Sequence, residues 1–319
     1  NLDSEDEGQL FVSCAGGVRT EATYTVDEEK LPEGFSTFNL VVKGLTGGHS
    51  GDDINKKRAN ANKLLVRFLL EQSEKTDLRL CDIQAGGLHN AIPREAHATV
   101  AVPTTYVAIF GEELQAFVEK VRDEFSATEP ELTAVIEPVA AAPTCICKEQ
   151  AERLLKSLSV VHNGIFAMSQ DLEGLVETSS NLASVRKHGN QIVATTSQRS
   201  SVASNLEYMA SVVRSAFELG GAKCVTNEGY PGWKMNPKSE ILKVCVDSYK
   251  RLFGKEPLVR AIHAGLECGL FSEKYPHLDM VSFGPTLRGV HSPDERLLIP
   301  TVQMVWDHLL DVLKNVPEK

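Results

Sequence analysis

Phe38-Asn39-Leu40-Val41-Val42-Lys43-Gly44-Leu45-Thr46-Gly47-Gly48-His49-Ser50-Gly51 is the stretch on which the fold turns. Phe38, Leu40 and Val42 alternate with Asn39, Val41 and Lys43, leaving most of one face apolar, as a half-buried strand requires. Four glycines between 44 and 51 then break the pattern. Beyond them Ala61, Leu64, Leu65, Phe68 and Leu69 recur at helical spacing, with Asp52 or Asp53 as the expected N-cap. Strand-like runs at Leu78–Ile83 and His97–Val102 follow. A helix carrying Leu114, Phe117, Val118, Val121 and Phe125 and a strand around Leu132–Val139 complete the series. The order β-α-β-β-α-β is a split βαβ pattern, an α+β sandwich with helices on one side of an antiparallel sheet.

Past Pro138 and Pro143 the pattern resumes: a helix on Ala151, Leu154, Leu155 and Leu158, a strand at Gln191–Thr195, and a helix on Leu206, Met209, Val213 and Phe217. A degraded second copy of the first unit would read this way, although no fixed period runs through the chain. After about Arg214 the character changes. Short β-rich runs at Cys224–Asn227, Leu258–Ile262 and Met280–Phe283 alternate with a helix on Leu242, Cys245, Val246, Tyr249 and Phe253; a last helix carries Val302, Val305, Leu309 and Leu313. Alternation of strand and helix is the mark of a wound α/β sheet. The expected architecture is therefore an α/β domain in two pieces, residues 1–16 and 215–319, interrupted by an α+β domain at 17–214.

Composition narrows the function. With 33 Lys and Arg against 43 Asp and Glu, the net charge of −10 opposes binding to nucleic acid or to anionic membranes. Small molecules and proteins remain as partners. Seven cysteines, an odd number, several of them inside apolar patterns, read as reduced thiols and point to the cytoplasm. The opening Asn1-Leu2-Asp3-Ser4-Glu5-Asp6-Glu7-Gly8 has neither a basic n-region nor an apolar h-region and no initiator Met, and reads as a cut inside something longer.

Several side chains stand in settings that suit chemistry. Asp3 lies where a strand end could present a carboxylate to a cation, though Glu5, Asp6 and Glu7 make a solvated acidic terminus the simpler account. His291 sits in a Gly/Pro-rich loop after the run 280–283, able to offer one imidazole nitrogen to a metal. The glycines around His49 hold an imidazole in a defined pose; the Walker pattern is not met because no Lys precedes Ser50. Asn90, in His89-Asn90-Ala91-Ile92-Pro93, suits a turn or an oxyanion equally. Glu267 opens a helix, which the macrodipole favours without any function, or meets an amino group beside His263. Arg199, a lone cation among hydroxyls, suits a carboxylate.

The segments NLDSEDEG, CAGG, KGLTGGHSG, NANKLLVRFL, HNAIPRE, YPGW, IHAGLECGLF and GPTLRGVHSPDE, in this order, resemble the M20 metallopeptidases, on the branch that splits Xaa-His and other dipeptides. The likeness runs through the whole chain. It implies a zinc-binding α/β domain interrupted by a lid and dimerisation domain. It further implies Asp3 and His291 as terminal ligands of a two-zinc centre, with His49, Asn90 and Arg199 holding the substrate carboxylate or the oxyanion, and His49 reaching the site of the partner subunit in a homodimer. Glu267 is implied as a pocket residue. The family's His-x-Asp motif, metal-bridging Asp and Glu-Glu pair are expected to precede Asn1, so residues 1–319 alone are expected to be inactive. The other readings are a non-catalytic lid module that binds a partner, and an aminoacylase or carboxypeptidase of the same superfamily.

Overall fold

A computed structural model describes residues 1–170, 172–288 and 295–316. It is a mixed α/β molecule with seven α-helices among the described residues and a central nine-stranded sheet. Every pairing in that sheet is antiparallel. From one edge its strands are Lys223–Thr226, Gly16–Thr25, Gln191–Ser200, Val176–His188, Arg79–Gly86, Ala96–Pro103, Phe35–Lys43 and Thr133–Pro138, with Gly164–Met168 paired beside Val176–His188. Helices Ala61–Lys75, Val107–Glu124, Lys148–Val160 and Ala203–Leu219 cover one face. Their apolar stripes and the facing strand residues, among them Leu40, Leu65, Phe68, Phe110, Leu154, Leu182, Val213 and Phe217, form one continuous buried core.

From Phe35 to Pro138 the six expected elements stand in the expected order, preceded by strands Gln9–Cys14, Gly16–Thr25 and Glu28–Lys30 that the pattern does not announce. The alternation at Phe38, Leu40 and Val42 turns these side chains into the core. Helix Ala61–Lys75, however, is capped by Asn60, whose side chain accepts from the Asn62 and Lys63 amides at 3.0 and 3.2 Å, and not by Asp52 or Asp53. Asn60 directly precedes the first helical residue, where a cap must stand to reach the N2 and N3 amides.

The C-terminal part departs further. The run at 224–227 does not belong to a wound sheet: Lys223–Thr226 extends the large sheet beside Gly16–Thr25. The run at 280–283 contributes an isolated bridge between Phe11 and Ser282. What is left of the wound sheet is the parallel pair Gln9–Cys14 and Leu258–Ile262, packed with helices Glu240–Phe253 and Ile299–Asn315 around Leu10, Cys245, Val281, Phe283 and Val312. All seven cysteines are free.

Candidate active site

Strand register decides what the large sheet shows on the face away from its helices. Ala22 and Ala194 point into the core, so their odd-numbered neighbours point the other way. Ser179 pairs with Arg199 and Arg199 with Gly17, while Asn181 pairs with Ser197 and Ser197 with Arg19. A polar strip of three strands results, with Arg199 near its centre.

Arg199 is only 7% exposed, yet it has no ion pair among the described residues. Its Nη1 donates to the Tyr230 hydroxyl at 2.8 Å, and its Nη2 lies 3.5 Å from His49 Nε2. Its buried Nε has no hydrogen-bond partner among the described residues. A buried guanidinium left in this state is costly unless something anionic completes it.

His49 is held by its own loop. Gly48–His49 forms a short ladder with Ala91–Ile92, and the Ser50 amide donates to the Asn90 carbonyl at 2.8 Å. The His49 amide donates to Asp53 Oδ2 at 2.8 Å, which is the task of the carboxylate expected to cap the helix. At Gly48, where φ is +136°, a Cβ would lie 2.1 Å from Arg58 Nη1 and 2.3 Å from Asp53 Oδ2, so glycine is required. His49 Nδ1 stands 3.5 Å from Asp52 Oδ2, and this ring holds the Asp52 carboxyl below the usual carboxylate range. The Gly51 and Asp52 amides donate to His49 Nδ1 at 3.3 and 3.2 Å, which fixes the ring with Nε2 turned toward Arg199.

A cavity of about 940 Å³ opens beside the His49 ring, lined among others by Asp3, Asp6, Asp52, Glu173 and His263. His263 is buried, and its Nε2 is 2.8 Å from the Ser179 hydroxyl. Burial, reinforced by the nearby Arg199 charge, pushes its pKa down to about 4. The imidazole is thus neutral near pH 7.

The structure therefore brings Asp3, His49 and Arg199 to one region of one chain, with Asn90 exposed on the turn that backs the His49 loop. Glu267 is the exposed first residue of helix Glu267–Lys274 and accepts from Asn1 Nδ2 at 2.8 Å. His291 lies outside the described residues. Two participants escape a reading by residue type. Tyr230 orients Arg199, and His263 ties the loop after Leu258–Ile262 to the sheet. Both stand in quoted segments, YPGW and IHAGLECGLF, but a tyrosine in a turn and a histidine before Ala-Gly announce no partner.

Comparison with known proteins gives this geometry a lineage. A family model described as the peptidase dimerisation domain of M20 enzymes matches residues 33–133. The cytosol non-specific dipeptidase of Escherichia coli (strain K12) is 40% identical over 319 residues, covering 100% of this chain. The chain belongs to the M20 peptidase family. The crystal structure of aminoacylhistidine dipeptidase from Vibrio alginolyticus, 40% identical, superposes on 100% of this M20 chain with a TM-score of 0.95. The chain spans 66% of the length of the first relative and 65% of the second, just under two thirds in each case.

Proposed function

We propose that this M20 chain serves the metal-dependent hydrolysis of dipeptides, including Xaa-His dipeptides, and that its described residues supply the groups that hold the substrate. The observation that carries the reading is Arg199: a buried guanidinium 3.5 Å from an imidazole, with its Nε unpartnered and no ion pair among the described residues. A ligand carboxylate or an oxyanion completes that set, accepting from Arg199 beside the His49 ring. Asn90, on the adjoining turn, is a third donor in this proposal, and Glu267 a pocket residue. The names of the relatives, a non-specific dipeptidase and an aminoacylhistidine dipeptidase, support the substrate class.

Zinc is implied by the family likeness, with Asp3 and His291 as ligands. Among the described residues no group of three or more His, Cys, Asp or Glu is placed to hold a metal ion, so they do not by themselves make a two-metal centre. The chemistry of the described residues is recognition. Arg199 neutralises and orients a carboxylate, Tyr230 fixes the guanidinium, and His49 meets negative charge as it develops on the substrate.

A division into a lid and a catalytic portion belongs to the same proposal, as does a homodimer formed through the lid; the bound expected at 214 moves past Thr226, because helix Ala203–Leu219 packs on the large sheet and strand Lys223–Thr226 belongs to it. A cytoplasmic setting follows the name of the first relative. Among the described residues no helix is long and apolar enough to cross a membrane.

The test is His49→Ala in a chain of the relatives' full length. Losing one such donor costs on the order of 10²–10³ in kcat, with zinc content unchanged. An unaltered kcat removes His49 from the reaction.

A further inference from the structure

The large sheet is two copies of one topology. In the first unit the strands Phe35–Lys43, Arg79–Gly86, Ala96–Pro103 and Thr133–Pro138 come in chain order, with a helix after the first and another after the third. They lie side by side in the order second, third, first, fourth. In the second unit the strands Gly16–Thr25, Val176–His188, Gln191–Ser200 and Lys223–Thr226 also have helices, Lys148–Val160 and Ala203–Leu219, preceding the second strand and following the third. They too lie in the order second, third, first, fourth. The first unit is inserted after the opening strand of the second, which hides the repeat from any search for a fixed period.

The two units meet through like elements. The second strand of one pairs antiparallel with the second strand of the other, Gly86 with Ser184 and Gln84 with Arg186. Contact of like with like is how two subunits join across a twofold axis. The seam is close: at Gly86, where φ is +72°, a Cβ would lie 2.0 Å from the Ala183 carbonyl oxygen. Asn60 and Asn181 stitch it with side-chain bonds to the Leu182 and Ala91 carbonyls at 3.0 and 2.8 Å. Only the first unit matches the dimerisation-domain model, at 33–133.

We propose that the second unit stands where the dimerisation unit of a partner subunit would stand, so that His49 serves the site of its own chain. Across the internal seam His49, from the first unit, meets Arg199, from the second, and shares a cavity with Asp3 of the same chain. This replaces the sequence expectation that His49 reaches into a partner. A second copy docking on a free edge of the lid sheet adds no residue to the site. The inference rests on His49 and Asp3 being site residues.

Mixed-chain complementation tests it. His49→Ala and Asp3→Ala are made separately in chains of the relatives' full length, and the two proteins are unfolded, mixed and refolded together. If His49 acted across subunits, random pairing would return about a quarter of wild-type dipeptide turnover, because half the dimers carry one intact site of two. Recovery no greater than either variant alone is the expected result; recovery near a quarter overturns the proposal. A second measurement holds even if no dipeptide is hydrolysed, an outcome that would count against the proposed function instead. Asp52→Cys with Ala264→Cys, bridged by a short bismaleimide, is expected to cross-link within single chains. Covalent dimers specific to that pair contradict the assignment.

Discussion

At the scale of single residues, His263 shows how a buried neutral imidazole ties stability to pH. An unfolded chain takes up this proton near pH 6.5, whereas folded His263 resists it down to about 4 because burial and the Arg199 charge oppose it. Between those values the unfolded state binds more protons. Stability is thus complete above about pH 6.5, falls as the pH drops through the window, and levels off below it. At 1.36 kcal/mol per pH unit the loss amounts to roughly 3 kcal/mol. Denaturant unfolding at pH 7 and pH 4.5 is expected to show the wild-type protein losing about 2 to 3 kcal/mol more than His263→Gln; equal losses would mean that His263 does not titrate as its surroundings require. Some of the site was legible from residue type alone. His49 and Arg199 stood out, the one among glycines and the other among hydroxyls. His263 and Tyr230 did not, because their roles come from contacts to Ser179 and Arg199, 84 and 31 positions away in sequence.

At the scale of elements, the loop from Gly44 to Asn60 must hold His49 still although it is mostly irregular. Glu129, 1% exposed, does this from outside the loop. One carboxylate oxygen accepts from the Thr46 amide at 2.6 Å and the other from the Ala59 amide at 2.8 Å, so a single side chain clasps both ends of the loop. Glu129→Gln sets an amide donor against one of those amides, at a cost of about 1–3 kcal/mol for the unmade bond. Hydrogen exchange at Thr46 and Ala59 is expected to quicken several-fold while the helix Val107–Glu124 keeps its protection; unchanged exchange at both amides contradicts the clasp. The periodic elements of the first unit were readable because each strand is half buried and each helix has one apolar stripe. Val176–His188 does not read as a strand because Thr178, Ser179, Ser180 and Asn181 are buried polar residues, bonded to Ser200, His263, Gln198 and the Ala91 carbonyl, and they erase the alternation a strand is recognised by. Asp53 was assigned to a helix cap for a related reason. Sequence spacing shows an acid before a helix, but not that its oxygen is already taken by the His49 amide.

At the scale of the whole molecule, two halves with different logic meet at the cavity. The large sheet carries Arg199, a glycine-rich loop brings His49 to it, and the turn at 263–266 is tied to the same face through His263. The repeat within the large sheet is hard to read in the sequence, because the first strand of its second unit is parted from the rest by the whole of the other unit and fixed spacing is lost. The central claim is that this arrangement recognises dipeptides. Its most direct test is the rate at which a chain of the relatives' full length, carrying residues 1–319 and supplied with zinc, hydrolyses β-alanyl-histidine and an α-dipeptide, compared with an N-acyl amino acid. Turnover of the dipeptides, lost on chelation, with the N-acyl amino acid left intact, is the expected result; hydrolysis of the N-acyl amino acid without the dipeptides would contradict dipeptide recognition.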